Sequence, residues 1–181
     1  MFHTLAGQDK LLKACGDSTV HGLVGLFSWL IVEKSMIRAI LCAIIAMSID
    51  IDHFIQAGSL RLEDALNLSQ RPFLHNSTLP VLLYVIFATL SYLLPEAAHF
   101  EYSKSLKLYT NLIFVAFASH HLRDASRRGL WFEPFAKSIP ISYTVYIILD
   151  IVICILVRMA FFKFDHKNSG MQLPNTIKET L

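Results

Sequence analysis

The 181-residue chain is 54% hydrophobic and only 17% charged, with a mean hydropathy of +0.49, whereas soluble domains carry about 25% charged residues. That balance points to a membrane protein of one compact domain, and a net charge of +2 with scattered basic residues argues against a nucleic-acid binder. Three cysteines are too few for a disulfide scaffold, and Cys42 and Cys154 fall inside apolar runs as small buried hydrophobes.

Residues 1–17 form an N-terminal polar segment in which Gln8, Asp9, Lys10 and Asp17 leave no apolar core for a signal peptide. Insertion is therefore expected to begin with the first internal apolar run. A helix crossing the hydrocarbon core takes about 20 mostly apolar residues, within a range of about 17 to 25. The first run covers 18–32 and stops at Glu33 and Lys34. The second covers 35–51 and closes on Asp50, Asp52 and His53, so the two read as a tight helical hairpin. Across 59–69, Leu62, Ala65 and Leu66 share one stripe with Arg61, Glu63 and Asp64 off it, which suits a short amphipathic helix at the interface. The third run starts near Pro72, a residue suited to the first turn of a helix, and ends at Pro95. The fourth, 106–122, is the least apolar and holds Lys107, Asn111 and Ser119. Pro134 and Pro140 mark the following loop as irregular. The fifth run covers 141–162, and 163–181 is a polar tail. The expected fold is all-α: a polytopic membrane helical bundle over 18–162, with about five transmembrane helices and a short interfacial helix. Lysines and arginines divide equally between its two sides and so do not orient it.

Four groups of polar residues interrupt the apolar runs: His21; Asp50, Asp52 and His53; Arg71 with His75; and His120, His121 and Asp124. Each falls where a run begins or ends, with His21 in the first turn of its helix. Alternation along the chain then puts all four on one side of the bilayer. Asp50 and His53 are three residues apart and His120 and Asp124 four, so each pair shares a helix face, a recurrent way to hold a metal in a helical bundle. Asp52 points away from Asp50 on a continuous helix and joins the group only if the helix breaks. His121 is turned by about 100° from His120, which leaves one of the two as a ligand.

The expected metal ligands are thus His21, Asp50, His53, His75, His120 and Asp124, with Asp52, Arg71 and His121 as catalytic candidates. Taken singly, His21 reads equally as an interfacial polar residue and Arg71 as a headgroup anchor. Asp50 and Asp52 read as solvated helix-end carboxylates, although acids at a helix C-terminus oppose the macrodipole. Their joint occurrence on one face argues for a site. Mixed imidazole and carboxylate ligands suit Zn, Mn or Fe(II), and such an ion lowers the pKa of bound water to about 7 and supplies hydroxide. Asp150, deep in the fifth run, is a separate intramembrane carboxylate.

The order of these residues resembles the bacterial LexA-regulated membrane-bound metal-dependent hydrolases: Asp50 and Asp52 before His53, then Arg71 with His75 and Ser77, then His120 with Asp124, followed by Gly129 and Pro134. The strings from Arg71 to His75 and from Ser119 to Asp124, with Gly129 and Trp131, are similar to the animal transmembrane protein 267 family more closely still. That resemblance covers 10–140 and reaches His21 and Gly22. It implies a polytopic helical membrane protein with a divalent-metal site built from the matched acids and histidines. The bacterial pattern has a histidine before the arginine, where this chain has Gln70. The expected function is a hydrolase-like, multi-pass integral membrane protein with a divalent metal at one membrane face, acting on lipid or phosphoester substrates, Arg71 stabilising the developing charge. The alternatives are a non-catalytic metal-binding scaffold, in which Gln70 marks lost chemistry, and a transporter component, suggested by Asp150 and Asn111. Membrane lipids are the expected partners.

Overall fold

Lys10, Leu11, Leu12, Lys13 and Ala14 are all good helix formers, so helix α1 runs from Phe2 to Val32 through the polar segment. The computed structural model describes residues 2–93 and 96–169. The change of polarity near residue 18 ends an apolar stretch but not a helix. His21 therefore lies well inside α1 rather than in its first turn. Helix α2 (Met36–Ser48) returns along α1 after a short link and presents Ala39, Cys42 and Ala46, all fully buried, as a stripe of small residues. Gly25 meets that stripe: a Cβ there would stand 2.9 Å from the Ala46 Cβ and 3.3 Å from the Cys42 carbonyl oxygen. Close backbone approach of this kind is how helices pack where burial against lipid gives no hydrophobic gain.

After Ser48 the chain tightens into one turn with backbone bonds from Asp52 to Ile49 and from His53 to Asp50, each 3.2 Å, and continues as α3 (Ile51–Ala57). A five-residue α4 (Leu62–Leu66) follows, shorter than the expected interfacial helix; Ala65 is buried, whereas Leu66 is half exposed. Pro72 is extended, with φ −64° and ψ 152°, and leads into a 3₁₀ turn at Phe73–His75 instead of opening the next helix. Helix α5 (Thr78–Leu93) and the 33-residue α6 (Glu96–Arg128) follow. Residues 94 and 95, and with them the expected helix end at Pro95, lie outside the described residues.

Gly129 closes α6 with φ 73°, its N–H bonded to the Ala125 carbonyl at 3.1 Å, the left-handed C-terminal cap that glycine favours. A small antiparallel hairpin, β1 (Trp131–Phe132) with β2 (Ala136–Lys137), occupies the loop expected to be irregular. Its Trp131 carbonyl accepts from the Ser77 N–H at 2.7 Å, tying it to the start of α5. Helix α7 (Tyr143–Ser169) carries on past the fifth apolar run into the supposed polar tail, whose remainder, 170–181, lies outside the described residues.

Helix α6 packs against α1, α2, α5 and α7, and α1 against α2 and α7. Trp29, Val32, Leu112, Val115, Ala116, Cys154 and Val157 join the α2 stripe in the buried core. Among the described residues, three stretches are long and apolar enough to cross a membrane: Gln8–Val32, Met36–Ala57 and Tyr143–Phe161. Helix α5 is apolar but short over Thr78–Ser91, and α6 is long but mixed in polarity. The all-α helical bundle is as expected, with fewer helices that meet both criteria than the apolar runs imply.

Candidate functional site

The polar groups separated in sequence meet where the end of α2, the turn before α3, the 3₁₀ turn before α5 and the C-terminal third of α6 come together against α1. The break after Ser48 is what admits Asp52: Asp50 stands just before α3 and Asp52 in its first turn, where the helix dipole favours an acid. The expected conflict with the macrodipole is thereby relieved.

His75 is the hub. Its Nε2 lies 3.4 Å from Asp50 Oδ1, 3.7 Å from Asp124 Oδ2 and 3.2 Å from His120 Nε2, and His120 Nε2 is 3.6 Å from the same Asp50 oxygen. On the other side of the ring, His75 Nδ1 is 3.2 Å from Asp52 Oδ2, which also accepts the Leu74 N–H at 2.8 Å. His120 Nδ1 is 2.9 Å from the Ala46 carbonyl oxygen. A carboxylate and a carbonyl only accept, so both Nδ1 atoms carry the hydrogen and donate it. Two neutral rings then aim their Nε2 lone pairs at each other across 3.2 Å, with the Asp50 and Asp124 oxygens beside them. Such an arrangement calls for a cation, either a proton or a metal ion.

A proton suffices for the protein alone. Burial would push the His75 imidazolium down, but the Asp50 and Asp52 carboxylates, with Asp124 nearby, carry its pKa up to about 9. The donor set also suits a metal. Ligand-type atoms of His75, His120 and Asp124, of His21, Asp50 and His120, and of Asp50, His53 and His75 each lie within 4.8 Å of one another. The six residues expected as ligands thus fall into three overlapping groups. His21 and His120 stack with ring centroids 3.8 Å apart, and His53 meets His75 edge to face at 4.7 Å. Asp50, with about a third of its side chain exposed, and His53 open onto a cavity of about 300 Å3 shared with Asp124.

A neighbouring group, Asp17, His21 and Asp124, also has metal-like spacing, but two guanidiniums already serve it. Arg123 donates to His21 Nε2 at 3.0 Å and pairs with Asp17 at 2.6 Å. Arg127 bridges Asp17 and Asp124 at 2.8 and 2.7 Å. The acceptors of that group are therefore already engaged. Asp17 and Arg123 were not among the expected site residues; the available signal was that Asp17 precedes His21 by one helical turn.

Two catalytic candidates go elsewhere. Arg71 donates to the carbonyl oxygens of Arg128 and Gly129 at 2.9 and 3.2 Å, capping the end of α6, whose last carbonyls lack helical partners. His121 donates from Nε2 to the Leu74 carbonyl at 2.8 Å. Since the Leu74 N–H is held by Asp52, both ends of that residue are clamped, and the 3₁₀ turn delivers His75 in a single orientation. Asp52 and His121 therefore position His75. Gln70 is exposed.

Asp150 is remote from this cluster along α1: its Oδ2 lies 2.7 Å from the Ser28 hydroxyl, which is also 2.8 Å from the Val24 carbonyl oxygen.

The chain is 42% identical to transmembrane protein 267 of Mus musculus over 143 residues, covering 76% of this chain and 63% of the relative. It is 36% identical to the Xenopus laevis protein of that name over 151 residues, covering 81% and 67%. With the Danio rerio protein it shares 40% identity over 142 residues, covering 75% and 61%. It spans about two thirds of the length of these curated relatives. No protein-family model matches the chain, and the resemblance to the bacterial hydrolases gains no support. No solved structure matches it significantly.

Proposed function

The chain belongs to the transmembrane protein 267 family and is a multi-pass integral membrane protein; we propose that its histidine–aspartate cluster holds one divalent metal ion and directs it to hydrolysis at a membrane face. The observation that carries this reading is the facing pair of Nε2 atoms on His75 and His120, whose tautomers Asp52 and the Ala46 carbonyl determine. Ligating histidines characteristically donate their other ring hydrogen to a carboxylate or carbonyl in this way. Asp50 and Asp124 complete the donor set, and His21 and His53 flank it. Nitrogen and oxygen donors without thiolate suit Zn, Mn or Fe(II). An ion of this kind supplies Lewis acidity and acidifies water to a pKa of about 7. The opening at Asp50 and His53 gives substrate a way in, while Arg127 and Arg128, rather than Arg71, supply positive charge beside it.

Metal analysis of the detergent-purified protein tests the reading. Stoichiometric divalent metal is expected in the wild type and its loss in both His75→Ala and Asp124→Ala; full retention in both variants would sink the assignment. A second reading, a metal-binding scaffold without catalysis, is favoured by Arg71 being committed to the end of α6 and Arg127 to Asp17 and Asp124. Hydrolysis of lipid phosphoesters by the metal-loaded wild type supports the enzyme. Metal without turnover, with turnover gained in Gln70→His, supports the scaffold.

A further inference from the structure

The cavity over the cluster has two kinds of wall. Asp50, His53 and Asp124 of the cluster are in its lining, which is otherwise largely apolar, with Leu11, Phe54, Leu62 and Leu66 contributed by α1, α3 and α4. Its volume of about 300 Å3 is at the lower end of the range for small-ligand pockets, about 300–1,000 Å3. Lys10 of α1 and Glu63 of α4 pair at 3.5 Å, joining the two walls. The charged lining comprises three carboxylates, Asp17, Asp50 and Asp124, against the guanidiniums of Arg127 and Arg128. Arg127 is spent on Asp17 and Asp124, whereas the Arg128 guanidinium makes no ion pair among the described residues.

We infer that this cavity is the binding site for a membrane lipid with a phosphate-bearing anionic headgroup, its chain lying between α1 and α3–α4 and its headgroup between the cluster and Arg128. A largely apolar cavity with charged groups in its lining calls for an amphiphile, and a free phosphoester would leave the apolar side chains uncovered. The balance of charge makes binding conditional. In the lining three carboxylates outnumber two guanidiniums and oppose the headgroup, and a divalent ion at the cluster offsets that excess. The inference therefore rests on the proposed metal reading.

Cys15 lines the cavity and is exposed, while Cys42 and Cys154 are buried, so alkylation of Cys15 by N-ethylmaleimide reports occupancy. The full chain is placed in nanodiscs of phosphatidylcholine with or without phosphatidic acid, loaded with Mn(II), and its metal content and Cys15 alkylation rate are measured on the same sample. Phosphatidic acid is expected to slow alkylation several-fold, and the slowing is expected to vanish on chelation and in Arg128→Gln. Equal rates in the two lipid compositions, with metal bound, overturn the lipid site and leave the metal reading standing. Slowing that survives chelation or Arg128→Gln reflects general surface charge and overturns it as well. Equal slowing by inorganic phosphate in phosphatidylcholine discs overturns the lipid as occupant. A sample that binds no metal overturns the metal reading and this site with it.

Discussion

The bundle buries acids in two places, and they solve the same problem differently. At Asp150 the hydrogen-bond chain can close on itself. The Ser28 hydroxyl has one hydrogen and two close oxygens, of Asp150 and Val24, and the Val24 carbonyl can only accept. An Asp150 that keeps its proton and donates to Ser28 satisfies both contacts. At the other place the available hydrogens are consumed on the outside, by Asp52 and the Ala46 carbonyl, and Asp50, Asp124 and two Nε2 atoms are left facing inward. The first arrangement is a short polar contact between α1 and α7; the second needs a cation at its centre, a proton on His75 or a metal ion. Burial of a carboxylate alone is met by one hydrogen-bond donor, whereas a surplus of converging acceptors calls for a cation.

The contrast can be broken most sharply at Asp52. Asp52→Asn is expected to lower metal affinity by about 10- to 100-fold, the usual effect of losing the partner that orients a ligating histidine; unchanged affinity in a metal titration would mean that the tautomer argument fails. Gly25→Val forces α1 away from the Ala46 and Cys42 stripe and is expected to cost about 1–3 kcal/mol, as overpacking does. It should weaken metal binding in parallel, since His21 reaches the cluster from α1, Asp50 follows the end of α2, and the Ala46 carbonyl that orients His120 belongs to the displaced stripe. Denaturation and metal titration of the same variant check both effects.

Arg71→Ala separates architecture from chemistry. Losing charged hydrogen bonds to two carbonyls is expected to destabilise the protein by about 1.5–3 kcal/mol with metal content unchanged. Metal loss in a variant that remains folded would return Arg71 to the site.

A pH series addresses the cation itself. The folded-state pKa of His75 is raised to about 9 from about 6.5 unfolded, so its contribution in metal-stripped protein is fully present below pH 6.5 and is lost as pH rises through about 9. Thermal unfolding should show stripped protein weakening over that window while metal-loaded protein does not. Smallest of all, Asp150→Asn keeps a donor toward Ser28 and is expected to change stability by less than about 1 kcal/mol and to leave metal content alone. A transport role for Asp150 would instead appear as lost uptake in proteoliposomes.

Much of the site was legible because spacing along a helix is local geometry. The three-residue step from Asp50 to His53 and the four-residue step from His120 to Asp124 required no tertiary information. Asp52 was legible as a condition, since the sequence shows that a break is needed but not that the chain tightens at Ile49 and Asp50. For Arg71 the sequence offered only its nearness to a histidine, and nothing local reveals that the end of α6 arrives beside it. The extent of α1 was underestimated for another reason: polarity limits what lipid will cover, while helix propensity decides where the backbone stops.

The sequence by itself determined a helical membrane protein, the approximate apolar runs and the residue types able to bind a divalent ion, because composition and short-range periodicity are properties of a chain segment. Only the tertiary structure decided which nitrogen of each histidine faces inward. That choice depends on acceptors distant in the chain: Asp52 for His75, 23 residues away, and the Ala46 carbonyl for His120, 74 residues away. Hydrogen-bond direction is set by whichever partner folding delivers, and here it turns a list of histidines and aspartates into a centre that needs a cation.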